Sequence, residues 1–462
     1  MPKSEASSHG GCETTEECSS ASSCRTRLRF YLLLVVGAAV VFAVWLFREP
    51  LRHFITEEAT LANDAPTAEA VEDMIQHASD PRSVLLAAWN SGKIVHREVA
   101  IRTISRILPA EQPLPPELDS LLLSAALDPD MNVREMALGI LQQRNHPALP
   151  ALAAEQLKDL DLQVRLLGLD HLKPVAPAIG VPTVIPLLDD PDPFIVTMSL
   201  KLLEKWSGQS FGVKLSETAS FENEKTGLKE YPEGSSEKAK AGALRAKAWW
   251  SDHRKEFPPV RLQVPNEAYA ARRTVPAVDF QLRTLDGQKL RLSNLRGKVV
   301  LVNFWTTWCS ACVSEMPELI ALQKENKDNL VILGVSLDYV PDEHGHIGGH
   351  AAVEEQGLGN DQNNDHERSA VALKKVREKV ARTVKARGIN YPILPDEKNE
   401  VGGRYNGGEL PTTVIVDARG NVRRRFIGAR SLPVFEAMIR EASQTPSSMQ
   451  SATAQNAIPA RK

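Results

Sequence analysis

The sequence predicts a multidomain chain with a single N-terminal transmembrane helix, an all-α solenoid and a C-terminal α/β domain. Three observations lead to this prediction. An uncharged apolar segment occupies residues 30–47, an acidic turn motif recurs between residues 65 and 207, and an apolar segment at residues 298–305 is followed closely by a Cys-x-x-Cys motif. A chain of 462 residues is long enough to form several such units.

Residues 30–47 read FYLLLVVGAAVVFAVWLF and have about the length that spans a bilayer core as a helix. Arginines flank the segment at Arg25, Arg27, Arg29, Arg48 and Arg52. Their distribution favours a cytoplasmic N-terminus. We therefore expect a single-pass protein of the inner (cytoplasmic) membrane, with its later domains periplasmic or otherwise extracytoplasmic. A cleaved signal peptide is the alternative, but the preceding 29 residues are long for a leader and no small-x-small site follows the segment.

Residues 1–29 are rich in Ser, Thr and Glu and show no apolar pattern, which predicts a disordered cytoplasmic tail. Cys12, Cys18 and Cys24 lie in this tail and would be kept reduced there. Metal binding and lipidation are the open alternatives for them. The formal net charge of -3 and the lack of a basic patch give no indication of a nucleic-acid partner.

Residues 65–256 are predicted to form the solenoid. Turns at 128–130, 159–161 and 190–192 share the pattern Asp-x-Asp, and each precedes an amphipathic segment. A further helical segment such as 149–158 connects one unit to the next, so the pattern resembles HEAT-type repeats. Two roles remain open, a surface for a protein partner or substrate and a passive spacer that lifts the C-terminal domain off the membrane.

The end of the solenoid has its own pattern. Residues 208–242 are polar and predict a loop, which a short helix ending at Trp249 and Trp250 follows. These tryptophans are expected to cap the last repeat rather than bind a ligand. Residues 257–274 are predicted to be a linker.

The Cys-x-x-Cys motif lies between a predicted strand and a predicted helix. Residues 298–305 are strand-forming, and apolar residues recur at helical spacing over 311–324. Cys309 therefore begins a helix, where free backbone N–H groups and the helix dipole favour its thiolate. Cys312 lies one turn later and can resolve a mixed disulfide. Half of a zinc site and two structural thiols are the alternatives, but no other cysteine lies after Cys24.

The wider pattern resembles membrane-anchored thiol-disulfide oxidoreductases of the TlpA/ResA type. The segments that carry the resemblance are GKVVLVNFW, WCSAC and EMP at 297–317, AVDFQL with LDG at 277–287, VILGVSLD at 331–338 and LPTTVIVD at 410–417. The resemblance covers residues 275–442 and implies a thioredoxin-like α/β fold for them.

The resemblance also implies roles for particular residues. A cis peptide bond before Pro411 would expose the backbone of Leu410 beside Cys309, where an extended client can pair with it. Trp308 would shield the disulfide and offer an apolar contact face. Glu315 would take the proton from the resolving thiol as a buried carboxylate. The alternative for Glu315 is an ordinary surface position.

Two departures from better-known relatives affect the expected chemistry. Asn303 stands where cytosolic thioredoxins carry a buried aspartate and cannot act as a base, which leaves Glu315 as the nearby candidate. Ser310 and Ala311 separate the cysteines and lack groups that would strongly stabilise the thiolate. We therefore expect a reductant or an isomerase rather than a strong oxidant.

A polar insertion is predicted at 340–368. Its His344, His346 and His350 are weak candidates for a site that would hold a soft or borderline divalent metal. The resemblance to thioredoxin-fold proteins that carry copper with cysteines and a histidine makes copper the metal to consider. A solvated insertion is the preferred interpretation. A basic amphipathic helix over 371–387 follows, and residues 443–462 are predicted to be a disordered tail.

The function that we expect is reduction or isomerisation of disulfides in protein clients. Apocytochromes of cytochrome c maturation, copper-site proteins and misfolded disulfide proteins all remain open as clients. No nucleotide or flavin motif is present, so we expect no cofactor and a membrane thiol electron donor. The alternative is a solenoid scaffold or metallochaperone that holds copper or zinc through Cys309, Cys312 and the insertion histidines. Peroxidase activity is disfavoured because the expected Thr and Arg set is not visible around Cys309.

Overall fold

The computed structural model describes residues 68–222, 229–258, 261–266, 268, 275–339 and 365–444. The predicted transmembrane segment 30–47, the three N-terminal cysteines and the three insertion histidines lie outside these ranges. Among the described helices, none is both long and apolar enough to cross a membrane.

The first part of the described chain, residues 68–258, is mainly α-helical, and we call it the helical domain. Its α-helices are α1 Ala68–His77, α2 Pro81–Asn90, α3 Ile94–Ile107, α4 Pro116–Ala125, α5 Met131–Gln143, α6 Leu149–Gln156, α7 Leu162–Leu172, α8 Pro177–Val184, α9 Pro193–Ser207 and α10 Ser235–His253. Short 3-10 segments follow α8 and α10, at Ile185–Asp189 and Arg254–Glu256.

The recurring Asp-x-Asp turns begin alternate helices, as the sequence predicts. Asp130, Asp161 and Asp192 are the N-cap residues of α5, α7 and α9, and each side chain accepts a hydrogen bond from a backbone amide of the first turn. Such a cap satisfies a donor that the helix leaves unpaired. The first aspartate of each turn accepts a bond from the amide of the second, at 2.8–2.9 Å.

Arginines of preceding helices reach these turns. Arg97 of α3 pairs with Asp128, and Arg165 of α7 pairs with Asp190 at 3.0 Å. Both pairs are nearly buried, so a recurring charged contact accompanies the recurring cap. The described helices thus repeat in packing and in polar contacts, while the assignment to HEAT-type repeats stays a prediction.

The predicted loop over residues 208–242 is wrong in its second half. Helix α10 begins at Ser235, and a two-stranded ladder joins β1 Phe221–Glu222 to β2 Lys229–Glu230. Small residues allow α10 to pack closely, because a Cβ on Gly242 would lie 2.4 Å from Val213 Cγ2. The polar and small residues of this segment therefore form one exposed and one packed helix face instead of a loop.

Trp249 and Trp250 pack inside the helical domain. The ring of Trp249 stacks on His253 at 5.0 Å, and the ring of Trp250 lies 5.5 Å from Phe257. Both tryptophans contact the core of the last helices. Their role as a cap of the last repeat stays a prediction.

Residues 275–444 form the second part, which we call the α/β domain. Its strands are β3 Val275–Pro276, β4 Gln281–Arg283, β5 Lys289–Arg291, β6 Val299–Trp305, β7 Leu330–Ser336, β8 Ile393–Pro395, β9 Thr412–Val416 and β10 Asn421–Ile427. Its α-helices are α11 Ser310–Glu325, α12 Asp365–Arg387, α13 Glu400–Tyr405 and α14 Leu432–Ser443.

Six of these strands form one mixed sheet in the order β3-β10-β9-β6-β7-β8. Strand β6 pairs with β7 in parallel and with β9 antiparallel, so it lies in the middle of the sheet. Every residue of β6 is buried, which explains why all of them except Asn303 are apolar. Strands β4 and β5 form a separate antiparallel pair.

The α/β domain has a core on each face of the sheet. One core includes Leu301, Trp305, both cysteines of the motif and residues of α11, α12 and α14. The other includes Val300, Phe304 and Tyr405. Alternate residues of β6 thus enter opposite cores, and the cysteine motif at its end lies beside the first core.

The acidic turns of the helical domain contact the α/β domain, a relationship that the sequence analysis does not predict. Arg425 of β10 binds Asp130 at 3.0 Å, and its amide donates to the carbonyl of Pro129 at 3.0 Å. Arg424 binds Asp159 at 2.9 Å. The described residues of both domains belong to one compact unit, and the two domains share an interface through these contacts.

Candidate functional site

Cys309 and Cys312 form a disulfide at the junction of β6 and α11, with their Cα atoms 5.3 Å apart. Cys309 is the N-cap residue of α11, and its Sγ accepts a hydrogen bond from the amide of Cys312 at 3.1 Å. The amide and the helix N-terminus favour negative charge on this sulfur once the disulfide is reduced. This is the geometry that the strand-to-helix pattern predicts.

The two cysteines differ in exposure. Cys309 is 9% exposed and Cys312 is 3% exposed. The neighbouring Trp308 is 47% exposed, a larger fraction than the 36% of Tyr231, the other exposed large aromatic residue of the described ranges. Cys309 is therefore the more exposed of the two cysteines, and Trp308 leaves an apolar surface exposed beside the disulfide.

Glu315 lies three residues after Cys312 on α11 and is 2% exposed, so the alternative of a surface position is wrong. Its Oε1 accepts a hydrogen bond from the amide of Arg430 at 2.8 Å, and its Oε2 accepts one from Asn303 Nδ2 at 3.1 Å. Residues i and i+3 of a helix lie on one face, so the carboxyl group belongs to the same face as the Cys312 thiol.

Burial raises the pKa of Glu315 to about 7. The hydrogen bond from the Arg430 amide, the Arg430 charge and the Asn303 hydrogen bond act in the opposite direction, and Glu318 adds to the rise. Desolvation is the largest effect because the charged form loses more hydration than the neutral form. A carboxyl group with this pKa can both accept and donate a proton near neutral pH.

Asn303 has a positioning function that the sequence analysis missed. Its Nδ2 donates to Glu315 and also to Thr413 Oγ1 of β9, at 3.1 Å in both cases. The side chain thus connects the central strand to the carboxyl group. The only signal in the sequence is a polar residue within the apolar run of β6.

Asp338 is a second residue that the sequence analysis missed. It accepts from the amide of Thr307 at 3.0 Å and from Ser336 Oγ at 2.9 Å. Thr307 lies two residues before Cys309, so Asp338 fixes the loop that leads to the disulfide. The sequence feature that indicates this contact is an aspartate two residues after the apolar strand β7.

The Leu410–Pro411 peptide bond is cis, as the resemblance implies. Leu410 packs partly buried against the core that contains the two cysteines. The carbonyl of Pro411 accepts from the amide of Gly428 at 2.8 Å, which links this turn to the end of β10. The cis turn and the disulfide therefore border the same core.

The predicted histidine candidates for a metal site lie outside the described residues. Within the described ranges, no group of three or more His, Cys, Asp or Glu side chains is arranged to hold a metal ion. The predicted helix over 371–387 is present and begins earlier, at Asp365.

Comparison with known proteins agrees with this geometry. Residues 274–425 match the AhpC/TSA family. The chain is 30% identical over 160 residues to the thioredoxin-like protein YneN of Bacillus subtilis, a match that covers 35% of this chain and 74% of YneN. It is 31% identical over 155 residues to the thiol-disulfide oxidoreductase ResA of Geobacillus kaustophilus, covering 33% of this chain and 67% of ResA.

Among solved structures, a thiol:disulfide interchange protein of the thioredoxin family from Chlorobium tepidum TLS is 26% identical. The match covers 37% of this chain and 97% of that protein, with a TM-score of 0.27.

The disulfide at a helix N-terminus, the cis proline and these sequence relatives define a class of protein. The chain belongs to the thioredoxin-like thiol-disulfide oxidoreductases, and its α/β domain is similar to ResA. The predicted enzyme class is therefore confirmed.

Proposed function

We propose that this protein is a membrane-anchored, extracytoplasmic oxidoreductase that reduces or isomerises disulfides of protein clients. The observation that carries the proposal is the buried Glu315, hydrogen-bonded on both oxygens, one helical turn from the resolving cysteine. Thiol-disulfide exchange needs a proton acceptor for the second thiol, and this carboxyl group has a suitable pKa of about 7.

The reaction begins with the reduced protein. The Cys309 thiolate attacks one sulfur of a client disulfide, forms a mixed disulfide and expels the other client sulfur as a thiolate. Glu315 then takes the proton of the Cys312 thiol, and the Cys312 thiolate attacks Cys309 Sγ. The second client thiolate leaves, the client has gained two electrons and the protein holds the Cys309–Cys312 disulfide.

Client binding uses the surface beside Cys309. Trp308 supplies an apolar contact, and the Leu410 backbone at the cis turn supplies a pairing edge for an extended chain. In isomerisation the client's own thiol displaces Cys309, so no net electrons are transferred. Net reduction requires a thiol donor, and a membrane thiol carrier is the donor class that fits an anchored protein.

The location follows from the segment 30–47, which we propose as an uncleaved anchor with the N-terminus in the cytoplasm. The recurring N-cap aspartates and arginine contacts support assignment of the helical domain to HEAT-type repeats. Its outer surface remains a candidate site for a protein partner.

A redox titration of the full-length chain in glutathione and dithiothreitol buffers tests the chemistry. We expect a two-electron transition near the thioredoxin value of about -270 mV or lower, which Cys309→Ser abolishes. A value near about -120 mV would instead indicate an oxidant. The absence of a transition, or its loss on addition of copper or zinc, would contradict the oxidoreductase proposal and favour metal binding.

A separate experiment tests the location. Single cysteines introduced at exposed positions of the helical domain, such as Lys240, should react in intact cells with a membrane-impermeant maleimide. Protection of these positions until the cells are lysed would contradict the extracytoplasmic assignment.

A further inference from the structure

A third contact between an acidic turn of the helical domain and the α/β domain joins Asp161 to Arg430, near the redox site. Asp161 Oδ2 accepts a hydrogen bond from Arg430 Nε at 2.9 Å, and the two side chains are only 2% and 7% exposed. Arg430 follows β10 in the loop that leads to α14. A buried ion pair of this kind restrains both partners because separation would leave an unpaired charge.

The Arg430 guanidinium also holds the loop in which it lies. Its Nη1 donates to the carbonyl oxygens of Ile427, Gly428 and Ala429 at 3.0–3.2 Å. The same guanidinium lies 4.8 Å from the centre of the Phe426 ring. The side chain therefore joins Asp161 on one side to the backbone of residues 427–429 on the other.

The backbone amide of Arg430 is the group that donates to Glu315 Oε1 at 2.8 Å. A continuous series of contacts thus leads from a turn of the helical domain, through one arginine, to the buried carboxyl group of the redox site. Asn303 supplies the other hydrogen bond to Glu315 and belongs to the α/β domain itself.

We propose that Asp161 is a positioning residue for the redox site, because it anchors Arg430 and thereby holds the Arg430 amide against Glu315. The helical domain then controls when Glu315 is ionised and is more than a spacer. The inference rests on the proposed proton-transfer role of Glu315 and deepens it.

The next Asp-x-Asp turn shows how the contact of Asp161 with Arg430 differs from its function as a helix cap. Asp192 occupies the same position of the Asp-x-Asp motif, and its Oδ1 caps α9 as Asp161 Oδ1 caps α7. Its Oδ2 accepts from the hydroxyl of Tyr231 at 2.6 Å, a residue of the helical domain. Both aspartates therefore cap a helix through Oδ1. They differ in the partner of Oδ2, which is Arg430 of the α/β domain for Asp161 and Tyr231 of the helical domain for Asp192.

Several charged or titratable groups act on Glu315. Glu318 lies on the same helix, Arg430 approaches from the loop after β10, and Tyr391, just before β8, interacts with it electrostatically. Of these, Arg430 favours the ionised carboxylate through its charge and its amide. Without Asp161, the buried guanidinium turns toward water and the loop is released, so Glu315 loses both contributions and its pKa rises.

The decisive measurement is the titration of Glu315 in the oxidised full-length chain, followed by NMR of ¹³C-labelled glutamate side chains. Glu315→Gln identifies the resonance. We expect Asp161→Asn, which keeps a capping oxygen, to raise the titration midpoint by about half a pH unit or more. The matched control Asp192→Asn should leave the midpoint unchanged.

A second variant tests the Asp161–Arg430 contact by changing Arg430 instead of Asp161. Arg430→Gln leaves the Asp161 cap intact and removes the guanidinium, so it should raise the midpoint at least as far as Asp161→Asn does. An unchanged or lowered midpoint in both variants, with native circular dichroism, would overturn the proposal.

Kinetics separate failure of this inference from failure of the proposed function. The pH profile of mixed-disulfide resolution should shift in Asp161→Asn, and the shift should vanish when Glu315→Gln is added. If Glu315→Gln alone leaves that profile unchanged while Asp161→Asn still moves the NMR midpoint, the proton-transfer role of Glu315 is wrong and the positioning by Asp161 stands.

Discussion

Asn303 Nδ2 lies 3.1 Å from Glu315 Oε2, so a neutral amide of the central strand binds the buried carboxyl group of the redox site. An amide donor favours the ionised carboxylate without adding a charge of its own. Burial raises the pKa of Glu315 far enough that neither protonation state dominates near neutral pH. The pairing thus keeps a buried acid ready for proton transfer in both directions.

Replacing Glu315 should change the pH dependence of mixed-disulfide resolution. A base with a pKa of about 7 is ionised above that pH, so the resolution rate of the native chain should rise with pH through this region. In Glu315→Gln the rise should disappear, and the rate at pH 7.5 should fall by about 100-fold. Rapid-quench trapping of the mixed disulfide measures both, with Glu318→Gln as the control on the same helix.

The pH dependence of the stability of the folded chain should also reflect Glu315. The pKa of Glu315 is about 7 in the folded state and 4.5 when unfolded, so between these values the folded state binds the extra proton. The free energy of unfolding should therefore fall by about 3 kcal/mol as the pH rises from 4.5 to 7. Urea unfolding of the oxidised protein should give a flatter pH dependence for Glu315→Gln. An equally steep curve in this variant would contradict the assignment.

The Asn303 contact can be tested by removing its donor. Asn303→Leu keeps a side chain of similar size but cannot donate to Glu315, so the pKa of Glu315 should rise above about 7. The pH profile of resolution should move upward by about half a unit to one unit. Thr413→Val removes only the other partner of Asn303 and serves as the control. A downward movement in Asn303→Leu would show that the amide does not favour the carboxylate.

Much of the α/β domain could be predicted from the sequence, because its features are local. The strand β6 and the N-terminus of α11 each depend on residues adjacent in the chain, whereas the cis bond before Pro411 was expected only from the family resemblance. The helix at 235–253 was missed in part because its small residues are helix-compatible but weakly apolar, and packing against Val213 decides its structure.

The interface between the domains could not be predicted, because its partners are far apart in the chain. Arg424, Arg425 and Arg430 look like solvated charges on a strand and loop, and the turn aspartates look fully explained as N-caps. Only the folded chain shows that the second oxygens of Asp130 and Asp161 bind arginines of the other domain. The N-cap motif therefore also contributes to the interface between the domains, which the local sequence pattern does not indicate.

The Arg425–Asp130 pair should be sensitive to the loss of either partner. The Arg425 side chain is fully buried, and Asp130 is 5% exposed at its side chain. Arg425→Met leaves Asp130 without its counter-charge and should lower the free energy of unfolding by about 3–5 kcal/mol. The double variant Asp130→Asn/Arg425→Met should recover part of this loss, since no charge remains buried. Arg419→Met, at an exposed position, is the control, and strict additivity of the two single changes would contradict the pairing.

Trp308 should contribute to client binding and little to stability, because 47% of its surface is exposed beside Cys309. We expect Trp308→Ala to raise KM for a disulfide-bonded protein client by about 10-fold, as loss of an apolar contact of roughly 1.5 kcal/mol predicts. The rate with a small disulfide such as oxidised glutathione should change less than about twofold, because that substrate does not extend over the indole ring. Leu244→Ala removes an exposed apolar residue from the helical domain and provides the control. An equal loss with both substrates would indicate that Trp308 acts on the disulfide itself instead of on the client.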